Sequence, residues 1–226
     1  LAAASVSDQM SDTNWLRADF DAFLVNKVRE YHIDYFDSTD IIAAVRKNSK
    51  WTIHTKCMEQ TMLLTSGFFI DATGSGNLAD RLFSVSSTST DFLTHSFAVF
   101  SHFDHLPRWS TLLQEKNIST VDYPYDPDNS ALHHLLDEGW VWALRFNNER
   151  TSWGFALNGN DASFKGMTAS EIWSAMRNKY PDINRLLKNA ALSPLPGNII
   201  QSGRLQRRLA KGFGDGWLAL PHSIGF

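Results

Sequence analysis

The feature that most constrains this chain is a pair of apolar runs joined by a short polar turn. Gly139-Trp140-Val141-Trp142-Ala143-Leu144-Arg145-Phe146 is answered by Thr151-Ser152-Trp153-Gly154-Phe155-Ala156-Leu157. Asn147-Asn148-Glu149-Arg150 between them reads as a turn, so the unit is a β-hairpin. Side chains alternate along a strand, which puts Trp140 and Trp142 on one face. Such a face either packs into a core or walls off a flat ligand. The spacing alone leaves both readings open.

The remaining composition sets broad limits. A chain of 226 residues suits one large domain or two interleaved smaller ones. A hydrophobic content of 43% is ordinary for a globular protein. With a net charge of −3, nothing points to a nucleic-acid surface. Cys57 is the lone cysteine, so no intramolecular disulfide forms, and a reducing, cytoplasmic setting is expected. No apolar run approaches the roughly 20 residues of a membrane span, so no membrane role is expected. Leu1-Ala2-Ala3-Ala4-Ser5 lacks an initiator Met and the basic segment of a signal peptide, and the chain stops in apolar sequence at Phe226. Both ends are expected to lie inside a longer protein.

Along the chain, Asp12-Thr13-Asn14 offers N-cap candidates. Phe20, Phe23, Leu24, Val28 and Tyr31 then recur at helical spacing, predicting an amphipathic helix over 15–31. Strands are expected at 33–47 and 50–56 around the turn Lys47-Asn48-Ser49-Lys50. Phe68 to Ala72 reads as a buried strand entering Thr73-Gly74-Ser75-Gly76, with a short helix from Leu78 to Phe83 and a Ser/Thr-rich break from Ser84 to Thr90. Phe92 to Phe103 is a further strand, and Trp109 to Lys116 a helix. Tyr123-Pro124-Tyr125-Asp126-Pro127-Asp128 is loop, because each Pro removes a backbone donor. Thr168-Ala169-Ser170-Glu171 matches a capping box opening a helix to about Lys179, and Pro181 starts another near 182–191. After the linker Ser193-Pro194-Leu195-Pro196-Gly197, Ile199 to Arg208 reads as a returning strand and Trp217 to Leu220 as a last buried one. Strands and helices mix without strict alternation, which predicts a mixed α/β class (α+β in parts): a sheet-rich domain set into an α/β frame.

Gly74-Ser75-Gly76-Asn77-Leu78-Ala79 fits G-x-G-x-x-A after an apolar strand, so a dinucleotide-binding start is one reading. Against it, Asp71 sets a charge just before the loop, the following helix is short, and a whole helix-strand segment precedes the strand. The stretch Asp71-Ala72-Thr73-Gly74 has a second reading. A strand ending this way looks like the second flavin-contacting strand of two-domain FAD oxidoreductases, where the glycine permits close backbone approach.

Several separate segments together resemble the flavin-dependent halogenases, the tryptophan-halogenase-like branch of the FAD-dependent monooxygenases. Arg17-Ala18-Asp19-Phe20-Asp21-Ala22-Phe23-Leu24 looks like the family's R-x-x-F-D-x-x-L helix. Phe69-Ile70-Asp71-Ala72-Thr73-Gly74 looks like its D-A-T-G strand. Trp140-Val141-Trp142-Ala143-Leu144-Arg145 is similar to W-x-W-x-I-P, with Leu144 in place of Ile and Arg145 in place of Pro. Gly203 to Arg208, then Gly216-Trp217-Leu218-Ala219-Leu220-Pro221-His222-Ser223-Ile224-Gly225-Phe226, look like the approach to the second flavin loop. Order and rough spacing agree, and the segments span nearly the whole chain.

The resemblance implies part of a two-domain FAD-dependent monooxygenase fold. Residues 1–83 and 198–226 would belong to an incomplete FAD-binding domain, and 84–197 to a substrate domain carrying the Trp hairpin. The family's first G-x-G-x-x-G loop and its catalytic lysine would precede Arg17, so no catalytic residue is assigned; Lys27, Lys47, Lys50 and Lys56 do not match that lysine. Cofactor contacts would come from Arg17, Asp71, Thr73, Gly74, Pro221, His222 and Ser223, with Trp140 and Trp142 walling the substrate chamber. In such enzymes reduced FAD and oxygen give a peroxyflavin, which oxidises halide or passes oxygen to an aromatic or other hydrophobic small molecule. A separate flavin reductase is the implied partner, and Arg145 at the Pro position leaves halogenation itself open.

Two rival classes remain at this level. One is a non-catalytic module presenting Trp140, Trp142 and Trp153 to a ligand; the other is an NAD-binding dehydrogenase domain built on Gly74-Ser75-Gly76. His102-Phe103-Asp104-His105 and His133-His134 lack metal-ligand spacing, so no metal is expected. No G-x-S-x-G elbow points to Ser-His-Asp hydrolysis.

Overall fold

The computed structural model describes residues 7–10, 14–76 and 78–226. The proposed caps Asp12 and Thr13 lie outside the described residues, as does Asn77 of the glycine loop. In chain order the elements begin with α1 (Arg17–Glu30), β1 (Thr39–Lys47), β2 (Lys50–Cys57), β3 (Gln60–Ser66), β4 (Phe69–Asp71), α2 (Leu78–Phe83) and β5 (Ser87–Thr88). Next come β6 (Ser96–Asp104), α3 (Trp109–Glu115), β7 (Leu132–Leu136), β8 (Gly139–Arg145), β9 (Thr151–Asn158), α4 (Ala169–Lys179) and α5 (Pro181–Leu187). The last are β10 (Ala191–Leu192), β11 (Ile200–Gln201), β12 (Arg208–Leu209), β13 (Phe213–Gly214), β14 (Trp217–Ala219) and α6 (Pro221–Ile224). The chain divides into two units: Leu1–Phe20 with His95–Leu205, and Asp21–Thr94 with Gln206–Phe226.

The first unit is built on one six-stranded sheet, ordered β10-β6-β9-β8-β7 with β11 beside β6. The expected hairpin is its centre: β8 pairs antiparallel with β9, from Gly139 opposite Leu157 to Arg145 opposite Thr151. β9 is buried from Thr151 through Leu157, because it is covered on both faces. Val141, Ala143, Trp153, Phe155 and Leu157 enter a core shared with Ile172, Trp173 and Met176 of α4. Burying side chains of this size contributes about 1.5–3 kcal/mol each. α4 starts where the capping box requires: Glu171 N donates to Thr168 Oγ1 (3.3 Å) and Thr168 N donates to Glu171 Oε2 (2.8 Å). Pro181 opens α5, where a missing N–H is harmless.

Trp140 and Trp142 do not join that core. They occupy the opposite face of the sheet, and Trp140 is 37% exposed. Trp142 lies across β9: its Nε1 donates to Ser152 Oγ (3.1 Å), and a Cβ on Gly154 would stand 2.2 Å from its Cζ2 and 2.5 Å from Phe100 Cβ. Position 154 therefore accepts only glycine while the indole keeps this seat.

The second unit holds an antiparallel sheet β1-β2-β3 and a small sheet β13-β14-β4 in which β14 runs parallel to β4. The β1–β2 turn forms where expected, with Asn48 and Ser49 at φ 51° and 60°, the left-handed values a tight hairpin needs. Its core is aromatic: the Phe83 ring lies 5.1 Å from Trp51 and 4.7 Å from Trp217. Trp51 Nε1 donates to Gly216 O (2.7 Å), satisfying the indole on burial.

Three expectations need correction. The helix over 15–31 exists as α1, but none of its residues is buried, and Phe23 and Leu24 are 52% and 44% exposed. Helical spacing reports a capacity to pack, not the presence of a partner surface. The strand expected over Ile199–Arg208 is two short pieces, β11 and β12, separated by irregular backbone. β3 and β7 are strands where the sequence pattern predicts none.

Gly154→Val should force Trp142 out of its seat and lower stability by about 1–3 kcal/mol. Denaturant unfolding measures this, and the loss should shrink when Trp142 is already alanine.

Candidate functional site

Two motifs nearly 150 residues apart meet because β4 and β14 are parallel neighbours, with Phe69 opposite Trp217 and Asp71 opposite Ala219. Their carboxyl ends therefore open side by side into Ala72-Thr73-Gly74 and Leu220-Pro221-His222-Ser223. Leu220 N donates to Asp71 O (2.8 Å), and Gly74 N donates to Ser223 Oγ (2.9 Å). Ser223 is 2% exposed, so this tether is shielded from water.

Asp71 holds the first loop from within. At 1% exposure, its Oδ1 accepts from Thr73 N (2.9 Å) and Thr73 Oγ1 (2.7 Å), and Oδ2 accepts from Ala79 N (3.2 Å) in the first turn of α2. These three donors, one of them in the first turn of α2, satisfy its oxygens. Gly74 sits at φ 60°, a left-handed conformation, and a Cβ there would meet nothing within 4 Å among the described residues. Open space thus reaches the backbone itself. Arg207, which lies in the Gly203–Arg208 segment but is given no role by the motif, holds the second segment by donating to Ser223 O (3.2 Å) and His222 O. Pro221 and His222 remain exposed, with the imidazole 6.3 Å from the Phe226 ring.

Of the residues named from sequence, Asp71, Thr73, Gly74, Pro221, His222 and Ser223 thus gather at one pair of strand ends in the second unit. Trp140, Trp142 and Arg17 belong to the first unit. There the Trp face continues across neighbouring strands, with Trp142 5.8 Å from Phe100 and Trp140 4.8 Å from His133 between ring centroids. Arg17 is exposed in the first turn of α1. Arg145 is 9% exposed and donates to Glu149 Oε2 (2.8 Å) and Leu106 O.

The rival readings fare differently. Trp153 is 2% exposed and packs in the core, so it is not part of a displayed aromatic surface. Gly74–Gly76 forms a single 3-10 turn and α2 has six residues, not the long helix of a dinucleotide start. Among the described residues no group of three or more His, Cys, Asp or Glu side chains is placed to hold a metal, and no helix is long and apolar enough to cross a membrane.

No protein-family model matches the chain. The monodechloroaminopyrrolnitrin halogenase PrnC of Pseudomonas fluorescens is 20% identical over 221 residues, covering 95% of this chain and 37% of the relative. The tetracycline 7-halogenase of Kitasatospora aureofaciens is 21% identical over 174 residues, 70% of this chain and 29% of its own length. Halogenase PltM, solved with phloroglucinol and FAD, matches at TM-score 0.81 and 22% identity, covering 100% of this chain and 45% of that one. The myxobacterial chondrochloren halogenase CndH, an FAD-dependent halogenase, matches at TM-score 0.76 and 15% identity over 96% of this chain and 47% of its own. The fold is thus mixed α/β and matches that of the two halogenase structures. The chain is similar in sequence to the first two halogenases and in fold to the two FAD-associated halogenase structures, and it spans less than half the length of each.

Two outcomes follow. Ser223→Ala should remove the loop tether, cost about 1 kcal/mol and speed amide exchange at Gly74. Burial also holds His134 and His102 below the usual 6.5, with His133 beside the first and Arg150 beside the second lowering them further, while Asp104 partly opposes at His102. Their folded pKa values lie below the unfolded ones, so the stability present above 6.5 is lost as pH falls below it. Urea unfolding across that range should show the decline, and His134→Phe should flatten it.

Proposed function

We propose that this chain is a segment of an FAD-dependent, halogenase-like oxidoreductase acting on an aromatic or other hydrophobic small molecule. The observation that carries the reading is the Gly74–Ser223 tether, which joins the glycine loop after β4 to the start of α6 after β14, at the carboxyl ends of adjacent parallel strands. Ligands of α/β sheets bind at such ends. A bare glycine backbone at φ 60° with open space above it, flanked by exposed Thr73, Pro221 and His222, fits close approach of a flat dinucleotide. The similarity to halogenases supports FAD as that group.

In this reading residues 1–83 and 198–226 contribute to an FAD-binding domain, and 84–197 form a substrate domain set into it. FAD, when bound and reduced, supplies oxygen activation for oxidising halide or substrate. Asp71 and Thr73 fix the loop, Gly74 admits the cofactor backbone, and Pro221, His222 and Ser223 lie along the ring system. Arg17 pairs with a phosphate or polar edge. Trp140 and Trp142 wall the substrate chamber and exclude water. The catalytic lysine is contributed from outside residues 1–226, and a separate reductase in the cytoplasm delivers reduced flavin.

The protein that carries this chain should be yellow, with visible flavin absorbance, and Gly74→Val in it should weaken FAD binding by about tenfold or more, since a side chain closes the approach. Residues 1–226 alone should take up FAD more weakly than that protein. A colourless protein that fails to bind added FAD would overturn the proposal.

A further inference from the structure

The hairpin ends on its core face beside a cleft of about 760 Å³, within the size range of small-molecule sites. Trp15, Asp19 and Phe20 line it from one side, and Arg108, Asp128 and Arg145 from the other. We propose that this cleft binds a small aromatic monocarboxylate, read by Arg145. It lies on the sheet face opposite Trp140 and Trp142 and stands independently of the flavin reading.

Arg145 is a built element of the wall. Its side chain is 9% exposed and held by Leu106 O, Glu149 Oε2 (2.8 Å) and, at 4.0 Å from Nε, Asp128 Oδ1. Asp128, 5% exposed, is itself fixed by Trp109 N (2.8 Å) and Ser110 N (2.9 Å). The guanidinium is therefore held in place while its Nε–H lacks an acceptor at bonding distance among the described residues. Its fork has more N–H donors than these partners use. A carboxylate is the planar acceptor that matches such a fork.

A second observation points the same way. Behind the cleft, sharing Arg145 and Asp128 with it, is a void of about 10 Å³ that Thr151 and Trp153 also line. Thr151 Oγ1 and Trp153 Nε1 are both buried without a hydrogen-bond partner among the described residues. Orphaned buried groups of this kind are costly, about 1–3 kcal/mol each. The void has room for one oxygen-sized atom. Donors are in excess around Arg145, and a ligand oxygen, or a water that it orders, supplies the missing acceptor.

The rest of the cleft selects the ligand's body and charge. The rings of Trp15 and Phe20 lie 4.0 Å apart and offer a surface for a planar ring. Asp19 and Glu149 also line the cleft, and Arg108 is already paired with Asp126 at 3.6 Å. A second negative charge on the ligand would meet these carboxylates, so a monoanion is preferred over a phosphate dianion.

Benzoate, benzyl alcohol and phenyl phosphate titrated into the 226-residue chain, followed by calorimetry and Trp fluorescence, test this without any flavin. Benzoate should bind saturably, and the other two at least about tenfold more weakly. Arg145→Lys, which keeps the charge beside Asp128 but loses the fork, should cost benzoate about tenfold. Trp15→Ala, at a half-exposed position, should weaken benzoate while leaving the circular dichroism and melting temperature unchanged. Equal binding of benzyl alcohol, no saturable benzoate binding, or a folded Trp15→Ala variant with undiminished affinity would each overturn the proposal. If Arg145→Lys proves unfolded, the ligand series and Trp15→Ala decide the matter alone.

Discussion

The hairpin of the first unit depends on the absence of a side chain at one position. Strand geometry commits alternate residues of β8 and β9 to opposite faces. One face goes to the helices, and Val141, Trp153 and Phe155 fill it. The other must then accept two indoles on adjacent rungs of β8. Gly154 makes this feasible, because Trp142 lies where any Cβ would be. The same strand pair thereby builds a dense core on one side and a half-open aromatic surface on the other. In the second unit Asp71 has the comparable place: a buried carboxylate whose donors are all local, around which the loop after β4 takes one shape.

What the sequence disclosed follows from how local each signal is. The Trp hairpin, the capping box at Thr168 and the proline start of α5 depend on neighbours within a few residues, and the structure forms them where the pattern placed them. β3 escaped notice because its hairpin with β2 turns through Met58 at φ 53°, with no Gly or Asn-Gly to announce it. β7 escaped because His133-His134 interrupts its apolar run, though His134 lies 4.3 Å from Trp109 between ring centroids as an ordinary packed ring. The candidate site was legible as motifs and not as geometry. No spacing rule brings Gly74 to Ser223, because that contact depends on a parallel strand pairing between distant segments. Arg207 carries no signal of its own, since an Arg that closes a loop through carbonyls looks like any surface Arg.

Arg145 shows how a departure from a motif acquires meaning only in three dimensions. As a sequence position it was a charged residue where the W-x-W-x-I-P pattern has a proline. In the structure it is a buried cation at the end of β8, set against Asp128 and the carbonyl of Leu106. The same residue that weakens the match to the motif also ties the hairpin to the start of α3, through the carboxylate that caps it.

The interleaving of the two units has an entropic side. The tether between Gly74 and Ser223 closes a loop of 149 residues, and closure entropy grows with the logarithm of loop length. The stretch 96–205 removes much of that burden, because Leu205 N donates to Ser96 O at 2.8 Å and so brings the two ends of that stretch together. Once β6 has paired with its neighbours, the distant strands β4 and β14 are joined by short connections in effect. Pairing β4 with β14 on top of that sheet therefore costs less closure entropy than their separation in sequence suggests.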